Sequence, residues 1–447
     1  MISSCKDGDC TQTTWYQDAD NDGLGNANVS QSACEQPSGY VADNTDSDDE
    51  GTTAACNTEG ELAQSSEAAI EEMRQALLIF RNALSSSLLS NASNCLDDER
   101  FYLWHNTPAA DSNRDGIIYG DLSTEQLDNF KSLLQLFLSA EGYQKVNEIT
   151  VLAESFLNNI NSNVWSTDYY SIDLFGDPDT SGSWGFQLDG HHCAINFLVH
   201  GDEVSMVPSF LGGEPVTETY DGTSFDIFSD ERDLALTLYN GFNSNENATA
   251  ASSGSSATMN VGPADRNGQP DPYIGDYDYA GFATGLKYSD MSATTQANLV
   301  LLMQEYVYNL NTTFADLWWA DVMANINETY FVWIDEVENP TATTQFYYRI
   351  YNPYLWVEYN MESPVGQSLD DWNHVHTITR IPNNPSTDNG GDYGIFAQII
   401  NADGPRTLYE HYAMADHHSL SKIKFDYKLN LKSHHHTGHN HSHSHGG

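Results

Sequence analysis

The apolar positions fall into stretches of different period. From Glu61 to Ser90, ELAQSSEAAIEEMRQALLIFRNALSSSLLS, they recur at helical spacing (Ile70, Met73, Leu77, Leu78, Phe80, Leu84) among good helix formers, which predicts one helix. The stretch 122–160, LSTEQLDNFKSLLQLFLSAEGYQKVNEITVLAESFLNNI, predicts two more, opened by Ser123 or Thr124 as a cap and parted at Gly142. From Tyr169 aromatic and β-branched clusters are cut by Gly and Pro. That pattern predicts two or three strands, with GHHCAINF (190–197) on one of them. Helices return over 229–241 and 289–327, and the Ser-, Gly-, Asn- and Asp-rich stretch 244–282 between them reads as a long functional or mobile loop. Four runs follow, TYFVWIDEV, TQFYYRIYN, YLWVEYNM and HVHTITRI, with the turn signals of an antiparallel meander. The expected fold is α+β, with helical front and middle segments packed on antiparallel strand blocks over 61–425. A loop-rich acidic module, 1–60, precedes it and a His-rich tail, 426–447, follows.

Charge narrows the function classes. Asp and Glu number 64 against 17 Lys and Arg, a formal net charge of -47, so nucleic acid is a poor partner and cations are good ones. No apolar run of about 18 residues is present, and no transmembrane segment is expected. The opening residues Ile2–Cys5, ISSC, resemble the end of a bacterial lipoprotein signal with Cys5 as the lipid-bearing residue, and CKDGD resembles a surface-export tag. A secreted or cell-surface lipoprotein of a bacterium is therefore expected, with a Cys5–Cys10 disulfide as the alternative reading. Four of the six cysteines lie within the first 56 residues, where they read as staples, and Cys95 and Cys193 read as buried thiols.

In the acidic module, Asp18, Asp20 and Asp22 alternate ahead of Gly23, the carboxylate spacing that wraps an oxygen-seeking cation around a tight turn. Asp46, Asp48 and Asp49 offer to close the cage, and a solvated acidic linker is the alternative. The longer pattern over 14–50, WYQDADNDGLG followed by Cys34, PSGYV and DSDDE, resembles the MopE-type metal-binding repeat of secreted bacterial proteins. Ser47 stands where that repeat usually has Cys. The hard carboxylate ligands favour calcium over copper.

Histidine carries the remaining chemistry. The tail SHHHTGHNHSHSHGG holds His434, His435, His436, His439, His441, His443 and His445, ready ligands for transition-metal capture. In NHVHT, His374 and His376 are two apart, so on a strand both reach one face and suit a borderline-soft metal. One of His191 and His192 is expected to join that face, with the other as a supporting donor or core residue. Glu358, on an apolar strand, calls for a cation, which Arg349, Arg380 or a metal would supply. His105 and His200 read as surface or core residues.

The segments WGFQLDGHH, VPSFLGGEP, YYRIYNPYLWVEYN, NHVHTITR and DYG with a later HY resemble the signatures of a bacterial and fungal family known as domain of unknown function 3500, over about 62–420. The family typically reads WGW where this chain has Trp184-Gly185-Phe186. The resemblance implies no activity. It does imply that Gly190, His191, His192, Glu358, Asn373, His374, His376, Arg380 and Asp392 occupy motif positions, with His411 matching a late family histidine.

These observations lead to an expected metalloprotein: a metal-dependent enzyme in which two or three of the candidate ligands His191, His192, His374, His376 and His411, with Glu358, hold zinc, ahead of copper or iron. Arg380 or Arg349 would orient an anionic substrate group. Zinc implies hydrolysis, and iron or copper implies oxygen chemistry. The rival readings are a non-catalytic metal scavenger and a calcium-dependent adhesion module.

Overall fold

The chain divides into two compact units, Met1–Thr58 and Glu59–Gly447. The computed structural model describes 12–17, 25–34, 36–37 and 39–44 of the first unit. Of the second it describes 65–96, 98–108, 114–178, 182–263, 271, 273, 279–335, 337–364, 369–382, 400–401 and 404–405. In the first unit β1 (Thr13–Gln17) pairs antiparallel with both β2 (Asn26–Ala33) and β3 (Tyr40–Val41). Cys34 after β2 is disulfide-bonded. Asp18, Asp20, Asp22, Asp46, Asp48 and Asp49 lie outside the described residues.

The second unit opens with α1 (Ala68–Ala83) and α2 (Ser86–Ala92), where one helix was expected. The serines explain the break: the Ser85 hydroxyl accepts from the Leu88 amide at 3.2 Å and caps α2, a role serine fills better than a helix interior. After β4 (Ser93–Asn94) and β5 (Ile117–Ile118) come α3 (Thr124–Phe137) and α4 (Ala140–Asn147), then a π-helical stretch, Glu148–Ala153, that runs into α5 (Glu154–Asn158). Ser123 and Gln126 form a capping box on α3. The helices part at Leu138–Ser139, and Gly142 lies inside α4. Glycine is needed there because a Cβ would sit 2.2 Å from the Asn309 carbonyl oxygen.

Strands then dominate: β6 (Ser171–Phe175), β7 (Ser183–Gly190), β8 (Cys193–His200), β9 (Glu203–Ser205) and β10 (Ser209–Gly213), followed by the hairpin β11 (Thr217–Tyr220) and β12 (Thr223–Asp226). This block holds more strands than expected because β6, β7, β8 and β10 are buried on both faces and lack the alternation that separates strands by eye. Next come α6 (Ser229–Asn240), α7 (Ser244–Ala250), β13 (Leu286–Lys287), α8 (Ala293–Val307) and α9 (Thr312–Ala324). The meander β14 (Tyr330–Asp335), β15 (Phe346–Asn352), β16 (Leu355–Met361) and β17 (Val375–Arg380) follows, each strand antiparallel to the next. The two strand blocks are one sheet, because β17 pairs with β10 from Ser209↔Thr379 to Gly213↔Val375. The order is β13-β14-β15-β16-β17-β10-β8-β7-β6-β4. The architecture is α+β.

The sheet has two different covers. Residues such as Phe186, Phe197, Val357 and Tyr359 face a large core shared with α1, α3, α6 and α8. The alternate residues Ala194, Phe210, Trp356 and Ile378 face a smaller cluster completed by Trp104, Val261 and Tyr279. Val261 and Tyr279 belong to the stretch 244–282, read as a functional or mobile loop; its first residues form α7, and Ser256, Val261 and Tyr279 are buried, the Ser256 carbonyl accepting from the Met361 amide at 3.1 Å. Among the described residues no helix is long and apolar enough to cross a membrane. Gly142→Ala is expected to destabilise the fold by about 1–3 kcal/mol despite the better helix propensity of alanine, because the Asn309 backbone must move. Urea unfolding of the variant measures this.

Candidate metal centre

His191 and His192 do not lie on a strand. They form the two-residue turn between β7 and β8, closed by the Gly190↔Cys193 pair. Strand alternation therefore does not separate them, and their rings stack with centroids 3.8 Å apart. His192 has φ 61°, a left-handed conformation that costs a non-glycine residue about 1–3 kcal/mol and persists only where the surroundings hold it. They do so here: the His192 amide donates to the Asn106 carbonyl at 3.1 Å, and its own carbonyl accepts from the Gly212 amide at 2.7 Å. The Tyr170 hydroxyl donates to the His191 carbonyl at 2.7 Å. Gly190 is required because a Cβ would lie 2.0 Å from the Tyr170 ring.

His376 on β17 pairs with Gly212 of β10 on one side and Asn360 of β16 on the other, and His374 just ahead of the strand shares its face. Gly212 leaves room beside His376, whose ring would be 3.0 Å from a Cβ there. The His192 turn at the end of β7 and β8 reaches the same point. His374 Nε2 lies 3.2 Å from His192 Nε2 and 2.9 Å from His376 Nε2. All three residues are buried, at 4%, 3% and 8% exposure, so bulk water does not solvate these nitrogens.

The far sides of two rings assign their protons. His376 Nδ1 faces the Glu362 carboxylate at 3.2 Å, and His374 Nδ1 faces the Ser363 carbonyl at 3.4 Å. Both partners only accept, so each Nδ1 carries a proton and each neutral ring has its lone pair on Nε2. In that form two lone pairs at 2.9 Å repel unless a proton or a metal cation lies between them. Bonds of about 2.0–2.1 Å to a tetrahedral zinc place ligand nitrogens roughly 3.3 Å apart, close to the spacing present. Burial and the neighbouring His376 push His374 down to about 3. Burial, with His191, His374 and His376 nearby, pushes His192 well below the usual range. Burial alone would raise Glu362, but the hydrogen bond and charge of His376 outweigh it and hold the carboxyl down at about 2. His192 and His374 thus favour the neutral form and Glu362 the ionised one, the states in which such groups ligate or support a metal.

Two further carboxylates lie beside these rings, and sequence reading missed both. Glu154, the first residue after the π-helical stretch, meets His191 Nδ1 at 2.8 Å. Glu214, just after β10, groups with His191 and His192, their ligand atoms all within 4.8 Å of one another. Glu214 stands within the VPSFLGGEP segment, where nothing in its Gly and Pro neighbours marks it as a site residue. Asn373 orders this corner: its side-chain oxygen accepts from the Val216 and Thr217 amides, each at 2.9 Å, which ties the chain after Glu214 to the residue before His374.

Other expected site residues have different work. The Glu358 carboxylate accepts from the Asn260 amide and side chain, the Val261 amide, the Tyr347 hydroxyl and the Trp356 indole at 2.7–3.4 Å. It is satisfied by neutral donors, and it anchors the covering loop rather than joining the histidines. Arg380 pairs with buried Asp271 at 2.7 Å, and Arg349 donates to Thr284 at 2.9 Å and to the Phe282 carbonyl at 3.3 Å. Both arginines contact the same cover. His105 and His200 are buried core residues. Cys95 is disulfide-bonded rather than a buried thiol, whereas Cys193 is free and buried, and burial pushes its thiol pKa up. His411, Asp392 and the seven tail histidines lie outside the described residues.

Two outcomes separate the centre from the loop anchor. Glu362→Gln is expected to weaken metal binding about 10–100-fold with little change in stability, measured by competition with a chromogenic chelator. Glu358→Ala leaves several buried donors without their acceptor, so a loss of at least about 3 kcal/mol in urea unfolding is expected, with metal content unchanged in the folded fraction.

No curated protein and no solved structure matches the chain. Residues 66–394 match a family described as a protein of unknown function, DUF3500, and that span takes in the whole histidine cluster, the turn that carries His192 and the three carboxylates around it. The chain belongs to the DUF3500 family.

Proposed function

We propose that this protein is a metal-dependent enzyme of the cell exterior, with a transition metal held by His192, His374 and His376. The observation that carries the reading is the convergence of three buried imidazole nitrogens, His374 Nε2 lying 2.9 Å from His376 Nε2 and 3.2 Å from His192 Nε2. Three neutral nitrogen ligands are the donor set of a hydrolytic zinc site, and zinc bound this way lowers the pKa of water to about 7. Glu362 and the Ser363 carbonyl orient the ligand rings, and Glu214 and the His191–Glu154 pair stand ready to bind or move protons beside them.

Calcium in the MopE-type repeat, bound by the alternating carboxylates Asp18, Asp20 and Asp22, belongs to the same proposal and fits an exported protein. A scavenging role is favoured by one feature, the seven-histidine tail, which would gather the same metals.

Metal content decides the reading. Full-length protein prepared without metal-affinity resin should hold about one more equivalent of zinc, copper or iron than His374→Ala/His376→Ala, because tail and module contribute equally to both. Equal metal in the two proteins would refute the site.

A further inference from the structure

The histidine cluster has a second side that the three-nitrogen site does not use. His191, His192 and Glu214 present ligand atoms within 4.8 Å of one another, and all three residues are buried, at 6%, 4% and 3% exposure. The buried Glu154 carboxylate holds His191 Nδ1 at 2.8 Å. It can only accept, so Nδ1 carries a proton and Nε2 is the nitrogen through which His191 would ligate. This is the outer-carboxylate arrangement that orients a ligating histidine, and Glu362 repeats it behind His376 on the other side of the cluster. The strained turn at His192 is what sets the two rings side by side, and three separate hydrogen bonds hold it.

We infer that the centre is binuclear: His191, His192 and Glu214 form a second transition-metal position that shares the His192 ring with the first. The inference rests on the three-histidine reading above. His192 Nε2 lies 3.2 Å from His374 Nε2, and in this arrangement its Nδ1 would hold the second cation. A ring that ligates through both nitrogens has lost both of its N–H protons, and a dication on each side supplies the charge that stabilises this anion. Two bonds of about 2.0–2.1 Å across one imidazole set the cations roughly 6 Å apart. The set suits zinc or copper, since it combines imidazole nitrogens with one carboxylate. Three atoms around one cation at that bond length lie roughly 3.3–3.6 Å apart, so atoms at the 4.8 Å limit would close by about 1 Å. Charge is matched on both sides, with Glu214 and Glu154 at the second position and Glu362 at the first.

The test compares full-length proteins stripped with chelator, reloaded with zinc and desalted. Glu214→Gln and His191→Gln should each hold about one equivalent fewer than the wild type, and should still hold the equivalent that His374→Ala/His376→Ala removes. If both single variants retain the wild-type amount, the second position is wrong and the three-histidine site stands alone. If the double variant also retains it, the underlying reading has failed with it. Copper-loaded wild type gives a measurement independent of variant folding. Two Cu2+ ions on one imidazole couple magnetically, so the low-temperature spin count should fall about two per chain below the copper content. A spin count equal to the copper content overturns the shared ring.

Discussion

A buried point onto which three imidazole nitrogens converge is the constraint around which this half of the sheet is arranged. Water solvates an exposed imidazole cheaply, but these rings are removed from it, and the lone pairs of two of them are aimed at each other. The repulsion is tolerable only with positive charge between them. A shared proton would relieve it, and burial with mutual proximity pushes His192 and His374 well down, away from the charged form. A metal dication meets the same need and also satisfies the third nitrogen.

The surrounding fold supplies rigidity in proportion. His374 and His376 lie at the start of a central strand that is paired on both sides, by β10 and β16. His192 rides on a turn tied to three different segments through Asn106, Gly212 and Tyr170. Asn373 links the Glu214 corner to the strand that carries the histidines. The covering loop is fastened to the sheet by Glu358, Arg380 and Arg349, which bind Val261, Asp271 and Thr284. Buried charge here has two uses, one to ready a site and one to fasten a lid of polypeptide over an aromatic cluster.

Much of this was legible in the sequence, and the failures have physical causes. The His-x-His pair was readable because strand period alone puts two alternate residues on one face. The helices α3, α6 and α8 were readable from their apolar spacing, and the meander from its turn signals. The adjacent His191 and His192 misled because a two-residue turn between continuously buried strands carries none of the usual Gly or Asn markers, His192 itself taking the left-handed position. Glu358 looked like a ligand because a carboxylate on an apolar strand needs partners, but sequence does not reveal that backbone amides from a loop about a hundred residues earlier provide them. Glu154 and Glu214 were invisible as site residues for the same reason, since their roles depend on contacts across 37 positions in one case and on a chain reversal in the other.

The most direct measurement is anomalous diffraction from crystals of the full-length protein prepared without metal-affinity resin, collected on either side of the zinc, copper and iron edges. The account predicts a peak about 2.0–2.1 Å from the Nε2 atoms of His192, His374 and His376. Three rings holding only a proton or water at that point, with no anomalous signal even after soaking in zinc, would contradict it.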